Sequence, residues 1–186
     1  MDIARIKARL RSHKPKTYNG ERHLTPSAVL VPVIEGPTGL ELLFTLRRDD
    51  LGSHPGQVSF PGGRVDPEDH NSLETALREC EEEIGVHRSD VHPLGRLSDF
   101  PVITNFLITP WVAQITDVGP YAASQREVAE IFTVPVERLQ DISLRRTAVF
   151  SRFDKEERVY FYHGGPHVIW GATAAILTEL LDVLAP

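Results

Sequence analysis

Three glutamates that lie close together in the sequence have the spacing to share one chemical task. Glu79, Glu82 and Glu83 stand at i, i+3 and i+4, so on a helix their carboxylates would form one patch. Each like-charge pair at this spacing destabilises an isolated helix by about 0.2–0.5 kcal/mol, and Arg78 alone does not neutralise the group. A divalent cation would, because Mg²⁺ and Mn²⁺ prefer carboxylate and carbonyl oxygens. The alternative is an acidic helix face in solvent.

The surrounding residues predict the helix that this patch requires. Asn71 is a suitable N-cap with Glu74 three residues on, and Gly85 is a suitable left-handed stop, so we expect a helix over residues 72–84. Its apolar residues are spaced for one buried face, opposite the carboxylates: Leu73, Ala76, Leu77, Cys80 and Ile84.

The loop before this helix favours the cation site over the solvated face. It reads Phe60-Pro61-Gly62-Gly63. A rigid proline followed by two glycines able to take positive φ predicts a sharp turn. Such a turn would present a bare carbonyl or amide beside the carboxylates.

These residues resemble the Nudix box. Residues 78–86 match its second half, Arg-Glu-aliphatic-any-Glu-Glu-any-Gly-aliphatic, and Gly63 supplies its first glycine. Asp69 stands where the pattern has Glu, and eight residues instead of seven separate it from Arg78, so we expect a longer loop before an intact helix. The resemblance implies the α/β (α+β) Nudix fold, a mixed β-sheet sandwiched between α-helices, and pyrophosphate hydrolysis that depends on Mg²⁺ or Mn²⁺.

A further resemblance concerns the substrate. Residues 43–47, 54–63 and 167–174 are similar to the signature segments of the coenzyme A pyrophosphatases, and the likeness covers about residues 25–184. It implies hydrolysis of coenzyme A or its derivatives to 3′,5′-ADP and 4′-phosphopantetheine. Three positions depart from that signature: Phe44 stands where Leu is usual, Arg48 where Ser or Ala is usual, and Gly52 where Arg is usual.

Two alternatives to this substrate stay open. Within the family, the substrate would be ADP-ribose or another nucleotide derivative such as a dinucleoside polyphosphate. Outside catalysis, the chain would be a nucleotide-sensing binding module. The complete set of Glu79, Glu82 and Glu83 speaks against a sensor, because a sensor has no need of three mutually repelling carboxylates.

Individual side chains receive roles on this hypothesis. The three box glutamates, with the Gly63 carbonyl, would hold the cation, and the resemblance implies that Arg78 orients one of them. The general base would be a box glutamate or Glu127, whose alternative is a solvated helix face. Four basic residues are candidates for contacts to substrate phosphates, the alternative being a strand end or turn in solvent: Arg47, Arg48, His54 and Arg64.

Composition sets the wider limits. With 186 residues, of which 41% are hydrophobic, the chain is predicted to form one Nudix domain over residues 1–186, with a helix and arm at 1–24. The net charge of −6 equals that of residues 64–83 alone, so no basic stripe remains for nucleic acid. One cysteine and the lack of a signal or spanning segment predict a cytoplasmic protein without membrane contact. Its partner would be a small pyrophosphate-linked substrate, and a homodimer stays open.

The remaining elements follow from periodicity and turn residues. We expect a strand at 27–34, placed at an edge or bulge by Pro32, and a hairpin partner at 40–47. The other predicted elements, in chain order, are an amphipathic helix at 1–11, strands at 57–60, 91–97 and 102–115 (interrupted at 104–105 and 110), a small acidic helix at 127–132, a hairpin of 143–150 with 158–162, and a closing helix at 168–184.

Overall fold

A computed structural model of the chain describes residues 1–50, 55–116, 119–152 and 155–185. The helices of the described part are α1 (Ile3–Ser12), α2 (Ser72–Ile84), α3 (Val136–Gln140) and α4 (Gly171–Leu184), with 3₁₀ turns at Arg88–Asp90 and Ile142–Leu144. Its strands are β1 (Thr25–Gly36), β2 (Gly39–Arg47), β3 (Val58–Ser59), β4 (Gly62–Arg64), β5 (Val91–Arg96), β6 (Phe100–Pro101), β7 (Phe106–Ile115), β8 (Val128–Pro135), β9 (Arg145–Arg152) and β10 (Lys155–Tyr162).

Strand β1 is the centre of the main sheet. It pairs in parallel with β7 on one side, and on the other side it pairs antiparallel with β4 and then with β2. Strands β8 and β3 join β2, while β5 and β6 join β7, so eight of the described strands form one mixed sheet. Strands β9 and β10 form a separate antiparallel hairpin.

The two faces of this sheet bury different helices. Because side chains alternate along a strand, Ala28 and Leu30 pack in the cluster that contains Cys80 and Ile84 of α2. Val31 belongs to the opposite, larger cluster, which takes in α1 and α4. The predicted mixed sheet between helices is therefore confirmed. No helix in the described ranges has the length and apolar character to cross a membrane.

Helix α2 begins and ends where its capping residues predict. The Asn71 side chain accepts hydrogen bonds from the N–H groups of Leu73 and Glu74, which satisfies two donors of the first turn. Gly85 has φ of 73° and donates its N–H to the Glu81 carbonyl, as a left-handed C-terminal residue does.

The predicted acidic helix at 127–132 is wrong, because that segment enters strand β8. Residues 128–135 pair antiparallel with β2, and Phe132 lies opposite Phe44. Val128, Ile131 and Phe132 have the spacing of a helix face, yet Phe132 packs in the larger cluster while Ile131 packs against the α2 cluster. A sheet partner distant in sequence decides the conformation here.

The edge or bulge predicted from Pro32 is also wrong, since β1 is central. The Leu30 N–H donates to the Pro61 carbonyl, so Pro32, two residues on, turns its nitrogen to the same side. There β1 changes partner from β4, paired at residues 27–29, to β2, paired from Val33. Proline has no N–H group to donate. Its position lies between the residues of β1 that pair with β4 and those that pair with β2, so no strand hydrogen bond is lost there.

Prolines and turns elsewhere explain the remaining differences. Strand β7 runs through Pro110 without the predicted break, whereas Asn105, with φ of 66°, marks the turn between β6 and β7. The predicted hairpins β1–β2 and β9–β10 are confirmed. Helix α4 begins at Gly171 instead of residue 168, because Ile169 forms a β-bridge with Tyr162.

The N-terminal arm is extended and fixed to the domain by backbone hydrogen bonds. The Lys16 N–H donates to Ser98 Oγ, and the Tyr18 N–H donates to Asp99 Oδ2. Glu179 of α4 accepts bonds from the N–H and hydroxyl of the same Ser98 and contacts His13 Nε2 at 3.0 Å. One carboxylate therefore joins the arm, the end of β5 and α4.

Candidate active site

Asp69 holds the loop before α2 against the helix. Its carboxylate accepts hydrogen bonds from Arg78 Nε at 3.1 Å and Nη2 at 3.0 Å, and from the Thr75 hydroxyl at 2.8 Å. The Arg78 guanidinium lowers the pKa of Asp69 well below its usual range. Sequence reasoning noted Asp69 only as a departure from the pattern. The position of Asp69, where the box has Glu, could have identified it as a partner of Arg78. The aspartate side chain is shorter than glutamate, but it still reaches Arg78 across the longer loop.

Arg78 connects this loop to the acidic patch. Its Nη1 donates to Glu79 Oε1 at 2.9 Å and to Glu82 Oε2 at 3.2 Å. Its Nη2 also donates to the Arg64 carbonyl at 3.0 Å. Arg78 thus contacts two of the three box glutamates that are predicted to hold the cation, which is the geometry its predicted orienting role requires.

The two glycines before the helix serve close packing, and the predicted sharp turn is wrong. Both lie in β4, where Gly63 pairs with Ala28 of β1, and neither has positive φ. A Cβ at Gly63 would stand 2.2 Å from Glu79 Oε1, and a Cβ at Gly62 would stand 2.4 Å from the Ala28 carbonyl oxygen. Only residues without a side chain allow the strand and the Glu79 carboxylate to approach this closely.

The three box glutamates differ sharply in environment. The Glu82 side chain is 59% exposed and that of Glu79 is 15% exposed, whereas Glu83 as a residue is only 3% exposed. The expectation that all three lie opposite the buried face is therefore wrong for Glu83, which packs between α2 and the sheet. Among the described residues, no three acidic, histidine or cysteine side chains converge on one point.

Burial governs the charge on the inner two glutamates. Desolvation raises the pKa of Glu83 to about 8, offset in part by Arg47, with Glu79 and Glu127 raising it further. Desolvation also raises the pKa of Glu79, against the opposing effect of Arg78. Both carboxylates are thus held in an environment that favours neutralisation by a proton or by another cation.

The donor atoms are of the type that a hard divalent cation binds, although no three of these side chains converge on one point in the described part of the structure. Glu83 Oε2 is buried and has no hydrogen-bond partner within the described ranges, and an unpaired buried carboxylate oxygen is costly. Glu79 and Glu82 contribute further carboxylate oxygens, and the lack of a side chain at Gly63 lets the Glu79 carboxylate lie directly against β4. Oxygen ligands of this kind are those that Mg²⁺ and Mn²⁺ prefer.

Glu127 lies beside the patch in the segment that leads into β8. Its N–H donates to the Ser124 carbonyl, and its own carbonyl accepts from the Arg48 N–H. Its charge raises the pKa values of both Glu79 and Glu83. The chain therefore brings Glu127 to the box glutamates on a turn, without the predicted helix.

The predicted phosphate-contacting residues lie in different places. Arg47 approaches Glu83 with Nη1 3.9 Å from Oε1, whereas Arg48 is bonded to Asp50 and to the Gln125 carbonyl. Arg64 lies with its guanidinium carbon 5.0 Å from the centre of the Phe106 ring. Since Gly63 faces Glu79, the next residue, Arg64, points to the opposite face of the sheet. His54 lies outside the described residues.

A cavity of about 350 Å³ opens at a different place on the sheet, where the β1–β2 turn meets the end of β7. Its lining includes Glu35, Glu41, Thr133 and Tyr121 and none of the predicted site residues. The acidic patch is therefore a separate feature on α2 and β4, with its own charge and its own partners.

The fold and the patch together define a metal-dependent hydrolase of the Nudix type, and comparison with known proteins agrees. The model of the NUDIX domain family matches residues 24–147. An uncharacterized Nudix hydrolase, NudL of Yersinia enterocolitica, is 37% identical over 171 residues, which is 92% of this chain and 86% of NudL. The chain belongs to the Nudix family, and the prediction of a pyrophosphohydrolase is confirmed.

Solved structures share the fold at low sequence identity. The Nudix hydrolase RenU of M. smegmatis superposes with a TM-score of 0.59 and 17% identity, covering 86% of this chain and 84% of RenU. The NUDIX domain of Shewanella oneidensis NrtR, determined with ADP ribose, gives a TM-score of 0.51 and 16% identity over 64% of this chain and 79% of that one. At these identities the likeness concerns the fold alone.

Proposed function

We propose that this Nudix enzyme hydrolyses the diphosphate linkage of coenzyme A or a coenzyme A derivative, releasing 3′,5′-ADP and 4′-phosphopantetheine. The observation that carries the proposal is the position of the first two of the three signature-like segments, residues 43–47 and 54–63, whose last residues lie beside the acidic patch. The first ends at Arg47, which lies 3.9 Å from Glu83. The second ends at Gly63, which packs against Glu79.

The chemistry requires a cation and a base. Glu79, Glu82 and Glu83, with the Gly63 carbonyl, are the residues that would hold Mg²⁺ or Mn²⁺, and such a cation, when bound, neutralises the diphosphate and lowers the pKa of bound water. Arg78 keeps Glu79 and Glu82 oriented through its Nη1.

The proton of the attacking water goes to a carboxylate of the chain. Glu127 lies close enough to raise the pKa values of Glu79 and Glu83, so we propose it as general base, with a box glutamate as the alternative. The water oxygen bonds to one phosphorus of the diphosphate and the bridging P–O bond breaks in line, so that each product keeps one of the two diphosphate phosphorus atoms, while the 3′-phosphate stays on the nucleotide.

Product analysis tests the proposal. Coenzyme A, ADP-ribose and a dinucleoside tetraphosphate are each incubated with Mg²⁺ or Mn²⁺ and the wild-type enzyme, E83Q or E81Q. Glu81 is the matched control, because it lies on the same helix with a side chain 40% exposed and faces His87 and Arg88. We expect 3′,5′-ADP from coenzyme A with wild type and E81Q, and a loss of at least about 100-fold with E83Q.

Other outcomes decide between the alternatives. Cleavage of ADP-ribose or the dinucleoside tetraphosphate alone would keep the hydrolase and reject the coenzyme A assignment. Binding of a nucleotide without turnover in any reaction would instead support a sensing module.

The setting of the enzyme belongs to the same proposal. We infer a cytoplasmic enzyme with a small-molecule substrate and no nucleic-acid partner. The support is the buried, unpaired thiol of Cys80 and the concentration of the net charge of −6 in residues 64–83. The homodimer stays a prediction that sedimentation would test.

A further inference from the structure

Arg47 and Glu83 face each other between the end of β2 and the last turn of α2. The Glu83 side chain is 4% exposed and that of Arg47 is 21% exposed, and Arg47 Nη1 lies 3.9 Å from Glu83 Oε1. This separation is an ion-pair contact but exceeds hydrogen-bond distance. The two side chains therefore interact by charge across a narrow gap.

Both partners keep an unsatisfied atom inside the protein. Arg47 Nε and Glu83 Oε2 are buried without a hydrogen-bond partner, and they are the only such side-chain atoms in the described part of the chain. Buried polar atoms are usually paired. Both unpaired atoms belong to the same ion pair, which indicates that Arg47 and Glu83 can change partners.

The other charges around Glu83 do not offer it a counter-ion. Glu79 and Glu127 are negative and raise the pKa of Glu83, while the Gly62 backbone amide gives only a small opposing effect. Arg78 is committed to Asp69, Glu79 and Glu82. Among the described residues, Arg47 is the one basic side chain within 4.0 Å of the Glu83 carboxylate.

We propose that Arg47 is a positioning residue that acts through Glu83, holding this buried carboxylate in place until a divalent cation takes it over. This assignment replaces the direct phosphate contact expected for Arg47 from the sequence. It rests on the proposed hydrolase function, because it gives Glu83 the task of holding the cation. One contact at 3.9 Å is weak enough for a divalent ion to displace.

A double-mutant cycle without metal or substrate tests the pairing itself. Thermal unfolding is measured in EDTA at pH 9, above the pKa of about 8 of Glu83 so that this carboxylate is ionised, for wild type, R47M, E83Q and R47M/E83Q. Breaking a buried ion pair on one side leaves an uncompensated charge, so we expect R47M to lower Tm by about 6–15 °C in the wild-type background. In the E83Q background the same change should lower Tm by less than about one third of that amount.

Arg48 supplies the matched control for the cycle. It is the neighbouring arginine, and its partners are Asp50 and the Gln125 carbonyl. The effects of R48M and E83Q on Tm should therefore add. Equal losses from R47M in the two backgrounds would show that the arginine merely packs, and the assignment would be overturned.

Steady-state kinetics with coenzyme A and saturating Mg²⁺ separates positioning from substrate contact. A positioning role predicts that R47M lowers kcat at least about 10-fold with KM changed less than about 2-fold, and that R47K recovers part of kcat. A KM raised about 10-fold with unchanged kcat would assign Arg47 to the substrate and overturn the proposal. If wild type hydrolyses none of the substrates, the proposed function fails, and the metal-free cycle alone decides the assignment.

Discussion

At the residue scale, the pKa of Glu83 links stability to pH. Burial raises it to about 8 from an ordinary value of 4.5, so the folded protein binds this proton more tightly than the unfolded chain. The resulting stabilisation is complete below pH 4.5 and is lost as pH rises toward 8, with a slope of at most about 1.4 kcal/mol per pH unit. We expect the free energy of unfolding of the metal-free protein to fall between pH 5 and 8.

The E83Q variant isolates this effect. Denaturant unfolding in EDTA at pH 5, 6.5 and 8 should show a smaller loss of stability for E83Q than for wild type over this interval. The lowered pKa of Asp69 acts with the opposite sign and below pH 4, outside the window. Parallel slopes for the two proteins would show that Glu83 is ionised in the folded state throughout.

Alanine substitutions at the two glycines of β4 should affect the protein differently, one lowering its activity and the other its stability. A Cβ at Gly63 meets the end of the Glu79 side chain, which can swing away, whereas a Cβ at Gly62 meets the backbone of Ala28 and Val29. We expect G63A to lose at least about 10-fold in kcat with a Tm change below about 4 °C, because Glu79 leaves Arg78. G62A should lower Tm by more than about 6 °C, because a strand must move.

Differential scanning fluorimetry and initial rates on the same preparations check this contrast. The pair serves as its own control, since both changes add one methyl group to adjacent residues of one strand. A fully active G63A would mean that the close approach of the Glu79 carboxylate to Gly63 has no role in catalysis.

At the scale of the element, the Asp69–Arg78 ion pair fixes the loop to α2. The Asp69 side chain is 6% exposed and shares two hydrogen bonds with Arg78. D69N should therefore destabilise the protein by about 2–3 kcal/mol at neutral pH and also lower kcat, because Arg78 orients Glu79 and Glu82. Urea unfolding and initial rates measure the two effects.

Asp66 is the matched control for this loop. It is exposed and accepts a bond from the Glu68 N–H, so D66N should change stability by less than about 0.5 kcal/mol. Equal stability of D69N and wild type would contradict the view that this ion pair holds the loop.

Local signals made α2 predictable and made β8 unpredictable. The ends of α2 are set by Asn71 and Gly85, whose preferences act within a single turn. Strand β8 depends on pairing with β2, and the spacing of Val128, Ile131 and Phe132 gives a false helical period. The same limit applies to the site, since the sequence identified the glutamates but the burial of Glu83 arises from packing against distant strands.

At the scale of the whole molecule, Glu179 joins the N-terminal arm to the domain through His13 and Ser98. E179A removes an acceptor that serves the Ser98 N–H and hydroxyl and should lower Tm by about 4–8 °C. Trypsin cleavage after Lys16 should become at least about 5-fold faster, because the arm loses one of its attachments.

Asp182 on the same helix is the control for this prediction. Its side chain is exposed, so D182A should leave both Tm and the cleavage pattern close to wild type. An unchanged rate of cleavage in E179A would show that the backbone bonds of the arm suffice to hold it.

The distribution of charge has a consequence for the order in which ligands arrive. Residues 64–83 carry a charge equal to the whole net charge of −6, so the surface around α2 repels an anionic nucleotide at long range. A divalent ion is drawn to the same surface. Its arrival removes part of the repulsion, and we therefore expect ordered addition, with the cation first and the nucleotide second. Added salt screens this field, so the order should be strictest at low ionic strength.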